Sequence, residues 1–487
     1  MQTKPLKQPH SLPLLFFSEF SQRFSYWGIQ SLLALFLINN YLLSHKEAYD
    51  IYGAFTALTF LLSILGGFIA DRYFGFKPSL ILGIIFSAIG NLFLTIPYAQ
   101  HSPFIFIGLA LICYGTGIFL PSNSNMLGTF YDKNDTRRDR GFTILYVGTN
   151  TGGLLGPIIY GFIYQTVNWH IAFLTSFIIL VLWLITYLKL NKYLDAKYQK
   201  QSQKNTFSFY YKNTIYFTLS IIALLIIFIL LKHTKFVGYL LDTIGLITLF
   251  VFLGYAASKK EGRKNILLLI LMIAITLLFF TCELQTNSSL IIFTQDYIKR
   301  DYLNITIPAS AFASLEPGFV IISSLALLKV WKKLQNKEPS ELTKLIIGLF
   351  LAAGAFAILT LTAKVIMISN HTASIGWIIA AYLLLGAGES CIMPPLLAAI
   401  THRAPSNARG TFMGGLYLAL AFSGYLAGKI AKLTSCTFHQ GHVNLSHIGY
   451  EAAAFLAVFQ HIYYLILGTA SILALANFGC YVYRKIL

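Results

Sequence analysis

Between Asn265 and Asp296 the chain reads NILLLILMIAITLLFFTCELQTNSSLIIFTQD, with no lysine or arginine along the stretch. A bilayer is spanned by about 20 apolar residues, so this run is long enough to cross one. Hydrocarbon offers no partner for backbone N–H and C=O groups, so a spanning segment is a helix or part of a closed barrel. Barrel strands are short and alternating, roughly ten residues each, and the unbroken runs here select helices.

Working outward from this run gives fourteen candidate spans, at about 14–43, 50–71, 78–98, 103–130, 140–166, 169–188, 214–231, 236–257, 265–296, 308–330, 342–363, 374–401, 409–431 and 455–483. The whole chain agrees: of 487 residues 56% are hydrophobic and 11% charged, with a mean hydropathy of +0.67. Soluble domains carry about 25% charge. The expected fold class is therefore an all-α membrane protein. A net charge of +18 would suggest nucleic acid for a soluble protein, but the basic residues cluster at the ends of apolar runs, so the expected surroundings are a lipid bilayer and no nucleic acid.

Charge placement orients the spans. With both termini cytoplasmic, inside segments hold 27 of the 36 lysines and arginines, outside segments hold 8, and Arg23 lies within a span. The positive-inside rule favours this orientation. Lys4 and Lys7 precede a run from Leu14 that is too long for a signal peptide, so the first helix is expected to remain in the mature protein. The lysine-rich stretch 189–213 and a two-span hairpin separate six spans from six. This gives an expected organisation of 1–188, a six-helix bundle; 189–264, a linker with the hairpin; and 265–487, a second six-helix bundle. No internal repeat is visible.

Ionisable side chains at bilayer depth cost about 2.5–3.5 kcal/mol even on insertion scales, so they face a cavity or a partner. The candidates are Glu19, Arg23, Glu283, Glu316 and Glu389. Glu19 and Arg23 are four apart on one helix face and can pair; a neutralised packing pair is the plainer reading. Glu283, Glu316 and Glu389 fall near the middle of three spans that offer no balancing cation there. Some of these acids are expected to bind protons near neutral pH or to meet a cationic substrate. Asp242, in the hairpin, reads as a local helix feature.

Five cysteines, Cys113, Cys282, Cys391, Cys436 and Cys480, follow no metal spacing, and all but Cys436 read as buried small hydrophobes. No metal or cofactor is expected. There is no HExxH, no phosphate loop and no nucleophile with a base, and His10, His45, His402 and His461 sit at span ends, so no catalytic residue is assigned and an enzyme is not expected.

Several motifs narrow the reading. Gly66-Gly67-Phe68-Ile69-Ala70-Asp71-Arg72-Tyr73-Phe74-Gly75 resembles the GxxADRxxG loop of the major facilitator superfamily, in which glycines allow close helix approach and the Asp-Arg pair ties helix ends. Glu19-Phe20-Ser21-Gln22-Arg23-Phe24-Ser25-Tyr26-Trp27-Gly28 is similar to ExxERFxYYG, and Arg137-Arg138-Asp139-Arg140-Gly141-Phe142-Thr143-Ile144-Leu145-Tyr146 through Asn150 to RRDxGFxIFYxxxN. With Gln285-Thr286-Asn287, Pro308, Ser314-Leu315-Glu316-Pro317, Gly388-Glu389 and Pro394 in order, the chain resembles the proton-dependent oligopeptide transporter (POT/PTR) family, bacterial type with an inserted two-helix hairpin.

The resemblance implies a facilitator fold of 6+2+6 helices whose two halves rock about a midplane site. It also implies a secondary active transporter for di- and tripeptides, coupled to protons, in a bacterial inner membrane. Glu19, Arg23 and Glu283 take proton-coupling roles. Arg23, Tyr26, Tyr146, Asn150, Gln285, Glu316 and Glu389 take substrate-binding roles, Arg23 for the peptide carboxylate and Glu389 for its amine. Asp71 and Arg72 take the gating role. The two tyrosines could equally be core.

Three departures bear on this. Gln22 replaces the second glutamate of ExxER and cannot titrate; Leu120 stands where the family has a lysine; Gln30 replaces a further basic residue. Glu316 meanwhile stands where the family has asparagine, which moves the pocket from bipolar toward anionic. Two other functions are therefore weighed beside peptide uptake: a carrier of a cationic or amine-rich metabolite with altered or absent proton coupling, and a non-transporting sensor or scaffold. The expected partners are small peptides or amine-bearing solutes, and protons.

Overall fold

A computed structural model describes residues 8–97, 102–131, 135, 137–190, 206–258, 262–302, 304–405, 408–435 and 447–486. Lys4, Lys7, Lys133, most lysines of 189–213, Lys259, Lys260 and Cys436 lie outside the described residues. The helices are α1 (Leu12–Asn39), α2 (His45–Ile69, continued by a π turn at Ala70–Phe74), α3 (Phe76–Leu94), α4 (Phe104–Thr129), α5 (Arg138–Thr166), α6 (Trp169–Leu190), α7 (Thr206–Lys232) and α8 (Thr234–Ser258). Then follow α9 (Arg263–Glu283), α10 (Ser289–Tyr297), α11 (Leu315–Leu334), α12 (Glu341–Ser369), α13 (Ile375–Arg403), α14 (Arg409–Leu433) and α15 (His447–Ile486). A two-stranded antiparallel ribbon, Asp301–Tyr302 with Ile305–Thr306, joins α10 to the segment before α11.

Twelve stretches among the described residues are long and apolar enough to cross a membrane. With α1 and α7 they account for all fourteen expected spans. Ser18, Glu19, Gln22, Arg23, Ser25 and Gln30 dilute the apolar content of α1, and the described side chains of α7 form a shorter stretch, Thr218–Lys232. α2 begins five residues before its expected start because Ser44 and Glu47 form a capping box: the Glu47 amide donates to Ser44 Oγ and the Ser44 amide to Glu47 Oε2.

The contacts divide the chain into two compact units: Met1–Leu32 with Ala54–Val237, and Leu33–Gly53 with Gly238–Leu487. In the first, α3 packs on α4 and α6, and α7 packs on α4, where Tyr114 and Ser220 share a 2.6 Å hydrogen bond. In the second, α12 packs on α13 and α15, α11 on α13, and α9 on α14. An aromatic group of Phe293, Tyr297, Phe455 and Phe459 ties α10 to α15.

The expected single spans at 265–296 and 308–330 are each interrupted. α9 stops at Glu283, Leu284–Asn287 forms a 3-10 turn, and α10 restarts at Ser289. Ala309–Ser314 is likewise 3-10 before α11. Polar side chains at these breaks compete with the helix for backbone groups, and irregular backbone at membrane depth is tolerated where protein buries it. The freed carbonyls find such partners: Tyr52 Oη donates to Leu284 O at 3.2 Å, Tyr382 Oη to Thr286 O at 3.2 Å and Ser288 Oγ to Leu284 O at 3.1 Å.

Candidate transport site

In the first unit the polar face of α1 is seated on α5. A Cβ at Gly152 would stand 2.8 Å from the Arg23 Cβ and from the Phe20 carbonyl oxygen, so only glycine allows this approach. It brings Thr149 to Glu19. The Glu19 carboxylate takes the Arg23 Nε–H on Oε1 at 2.8 Å, the Thr149 hydroxyl on Oε1 at 3.1 Å and the Asn123 amide on Oε2 at 2.7 Å. Ser18 Oγ donates to Asn123 Oδ1 at 2.8 Å and so orients that amide. Both oxygens of Glu19 are thus engaged, as a buried anion requires. Arg23 keeps 17% side-chain exposure and bonds through Nε alone, leaving its terminal nitrogens without a protein partner among the described residues.

The departures from the family pattern have a physical setting. Gln22 is buried and its Nε2 donates to Thr116 Oγ1 at 2.8 Å and Ser87 Oγ at 3.1 Å, which a glutamate cannot do. Leu120 sits in an apolar cluster with Leu15, Phe119, Met126 and Leu145. Gln30 donates to Tyr26 Oη at 2.7 Å and Thr56 Oγ1 at 2.9 Å.

Tyr26 is a core residue: it is buried, takes the Gln30 bond and stacks on Phe55 with ring centroids 6.1 Å apart. Tyr146 is half-buried on α5, and Asn150 is buried with Nδ2 donating to the Tyr146 carbonyl at 3.0 Å. Asp71 and Arg72 lie exposed on the π turn, with the Arg72 guanidinium 5.8 Å above the Phe68 ring.

In the second unit three carboxyl groups converge. A Cβ at Gly386 would come within 2.9 Å of the Glu316 carbonyl oxygen, so α11 and α13 approach closely at this level. Ser390 Oγ donates to Val320 O at 3.2 Å and Ser324 Oγ to Ser390 Oγ at 3.0 Å, which fixes the two helices in register. The carboxyl groups of Glu316 and Glu389 face each other, and Glu283, from the last turn of α9, is within electrostatic range of both. Tyr382 stands against Glu283 and Glu316. Glu283 is 2% and Glu316 7% exposed. Glu283 Oε2 and Glu316 Oε1 have no hydrogen-bond partner, and no lysine or arginine pairs with any of the three acids, among the described residues.

Gln285 is a bracing residue. Its Nε2 donates to Thr281 O at 3.3 Å and Ala427 O at 3.1 Å, and its Oε1 accepts from Ser289 at 2.6 Å. Asn123, Thr149, Ser18 and Tyr382 were not singled out by the sequence; the Pro121-Ser122-Asn123 stretch was the available signal for Asn123.

The pattern of the POT family matches residues 79–444, about three quarters of the chain. The chain belongs to the POT family. Family members are transporters rather than enzymes, and this POT protein is a multi-pass membrane protein. It is 27% identical over 461 residues to the dipeptide and tripeptide permease A of Serratia proteamaculans, covering 94% of this chain and 88% of that one. It is 29% identical over 446 residues to the peptide transporter YePEPT of Yersinia enterocolitica, covering 87% of each. A solved POT family transporter in complex with 5-aminolevulinic acid matches with a TM-score of 0.78 at 24% identity, covering 97% of this chain and 98% of that one. The likeness establishes a facilitator-type fold.

Proposed function

We propose that this POT protein takes up di- and tripeptides together with protons, by alternating access, across the bacterial inner membrane. The observation that carries this reading is the group of three carboxyl groups on α9, α11 and α13, Glu283 and Glu316 buried and Glu389 half-buried, without a cationic partner among the described residues. Burying acids in this way is unfavourable unless a proton or a cation meets them. The relatives named as peptide permeases supply the class of substrate.

In this reading Glu389 receives the peptide amine, and the open terminal nitrogens of Arg23 receive its carboxylate. Glu283 and the Glu316–Glu389 pair hold the coupled proton. Glu19, bonded on both oxygens, sets the pose of Arg23 and takes part in coupling through it. Asn150 and Tyr146 contribute to the pocket wall, and Asp71 and Arg72 to a gate. Both termini are cytoplasmic, and the bundles are 1–188 and 265–487, with 189–264 inserted between them. Proteoliposomes with an imposed proton gradient, inside alkaline, test the reading: labelled alanyl-alanine is expected to accumulate and a protonophore to abolish it. Absence of uptake for every member of a dipeptide panel would sink the proposal.

The excess of carboxyl groups favours one second reading, a carrier of an amine-rich metabolite. A Glu316→Asn variant that moves cationic solutes but no peptide would select it.

A further inference from the structure

The acid group presents more acceptors than one amine can use. Glu283 Oε2 and Glu316 Oε1 come from different helices, are buried, and have no hydrogen-bond partner among the described residues. Asn287, in the turn that follows Glu283, is itself buried and its Oδ1 is unpartnered in the same way. Several donors around them are engaged elsewhere: the Tyr382 hydroxyl on Thr286 O, the Gln285 amide on Thr281 O and Ala427 O, and the Ser390 hydroxyl on Val320 O and Gly386 O, while the Ser310 and Ser314 hydroxyls are buried without a partner but reach neither carboxylate oxygen. No donor of the described residues reaches Glu283 Oε2 or Glu316 Oε1, so a proton or a ligand has to complete them.

Charge gives the same result. These three carboxyl groups can carry negative charge, and no lysine or arginine pairs with any of them among the described residues. A single α-ammonium on Glu389 neutralises one of them. Any charge left on Glu283 or Glu316 is buried and unpaired, a costly arrangement unless a proton or a second cation reaches it. The walls beside these acids are rings: Phe279, whose edge lies 2.9 Å from where a Cβ of Gly388 would stand, and Tyr382. Such walls suit an aliphatic stem that ends in a charge.

We infer that the preferred substrates are peptides whose first residue carries a second ammonium group, as in an N-terminal lysine. The α-ammonium meets Glu389 and the side-chain ammonium bridges Glu283 and Glu316. This rests on the peptide-uptake reading above and deepens it.

The test is competition against labelled alanyl-alanine uptake in proteoliposomes by lysyl-alanine, alanyl-lysine and Nε-acetyl-lysyl-alanine. Lysyl-alanine is expected to compete about tenfold more strongly than alanyl-alanine, the scale of one further charged hydrogen bond. Alanyl-lysine and the acetylated peptide are expected to lose that advantage, a comparison made wholly on the unaltered protein. Glu316→Gln is expected to bring the lysyl-alanine to alanyl-alanine ratio to about one, and Glu316→Asp to retain the preference. Equal competition by lysyl-alanine and alanyl-alanine, or an acetylated peptide as strong as lysyl-alanine, overturns this inference while leaving peptide uptake standing. Absence of any alanyl-alanine uptake overturns the uptake reading and this inference with it.

Discussion

Two buried acidic sites in this protein solve the same physical problem in opposite ways. Glu19 on α1 is surrounded by donors from its own chain, Arg23, Asn123 and Thr149, and needs nothing further. Glu283, Glu316 and Glu389 have only one another, with two oxygens unpartnered among the described residues. A satisfied ion pair positions its cation; an unsatisfied acid waits for a ligand or a proton. The first site is built for holding Arg23 in place, and the second for exchange.

The sharpest way to break this comparison is to strip the first site of its cation. Arg23→Ala leaves the Glu19 carboxylate buried with neutral donors only, and is expected to lower unfolding stability in detergent by about 3 kcal/mol, the lower end for a broken buried pair because Arg23 is partly exposed. A thermal or denaturant melt reads this, and an unchanged midpoint would mean that the pair is inert.

The next effect concerns the two departures from the family pattern. Gln22→Glu reverses both hydrogen bonds, so that the Ser87 and Thr116 hydroxyls must donate to a buried carboxyl group, which is expected to destabilise by about 2 kcal/mol. Leu120→Lys on its own buries a cation in an apolar cluster and destabilises as well. If the two positions compensate, the double variant recovers about 1 kcal/mol relative to the sum of the singles, within the range of couplings between neighbouring residues. Strict additivity would show that the lost acid and lost base are unrelated.

A smaller change in stability, with a large change in function, is expected in the second unit. Glu283→Gln replaces one of three clustered carboxyl groups by a neutral amide, so its melting midpoint should stay within about 0.5 kcal/mol of the original or rise. Proton-driven uptake by the same variant should nevertheless collapse. A marked loss of stability would instead make Glu283 a structural residue like Glu19.

The smallest effect belongs to an acid in water. Asp135, between α4 and α5, accepts from Arg137 Nε at 3.0 Å and Nη2 at 2.7 Å, and the side-chain hydrogen bonds of this guanidinium hold its carboxyl at about 2. An unfolded aspartate titrates near about 3.9. The folded value is the lower one, so the contribution is complete above about pH 4 and is lost as the pH falls toward 2. The pair is half-buried, joins residues only two apart and is worth little. Asp135→Asn should therefore shift the melting midpoint slightly at pH 7 and still less at pH 2; a shift that grows on acidification would reverse the assignment.

Much of this was readable in the chain. Long apolar runs leave helices as the only spanning solution, and a lone glutamate among them is so unfavourable that its position marks a site. The glycines at 148, 152 and 156, spaced by four, are where α5 meets α1, a spacing that the reading of the sequence passed over. The polarity of α1 was legible too, and the same polar residues keep it out of the twelve plainly apolar stretches. Tyr26 and Gln285 carry family motifs, yet their side chains are spent on internal bonds. A motif records residue identity and not the direction in which a side chain points.

The amino-acid order alone determined the membrane class, the number of spans and which charges are buried, because each follows from the cost of moving one residue or one run out of water. Tertiary packing decided which of those charges are answered. Whether Glu19 meets Asn123, whether Glu316 meets Glu389, and where the helix at Glu283 stops all depend on atoms distant in the chain, and hydrogen bonds form only over about 3 Å.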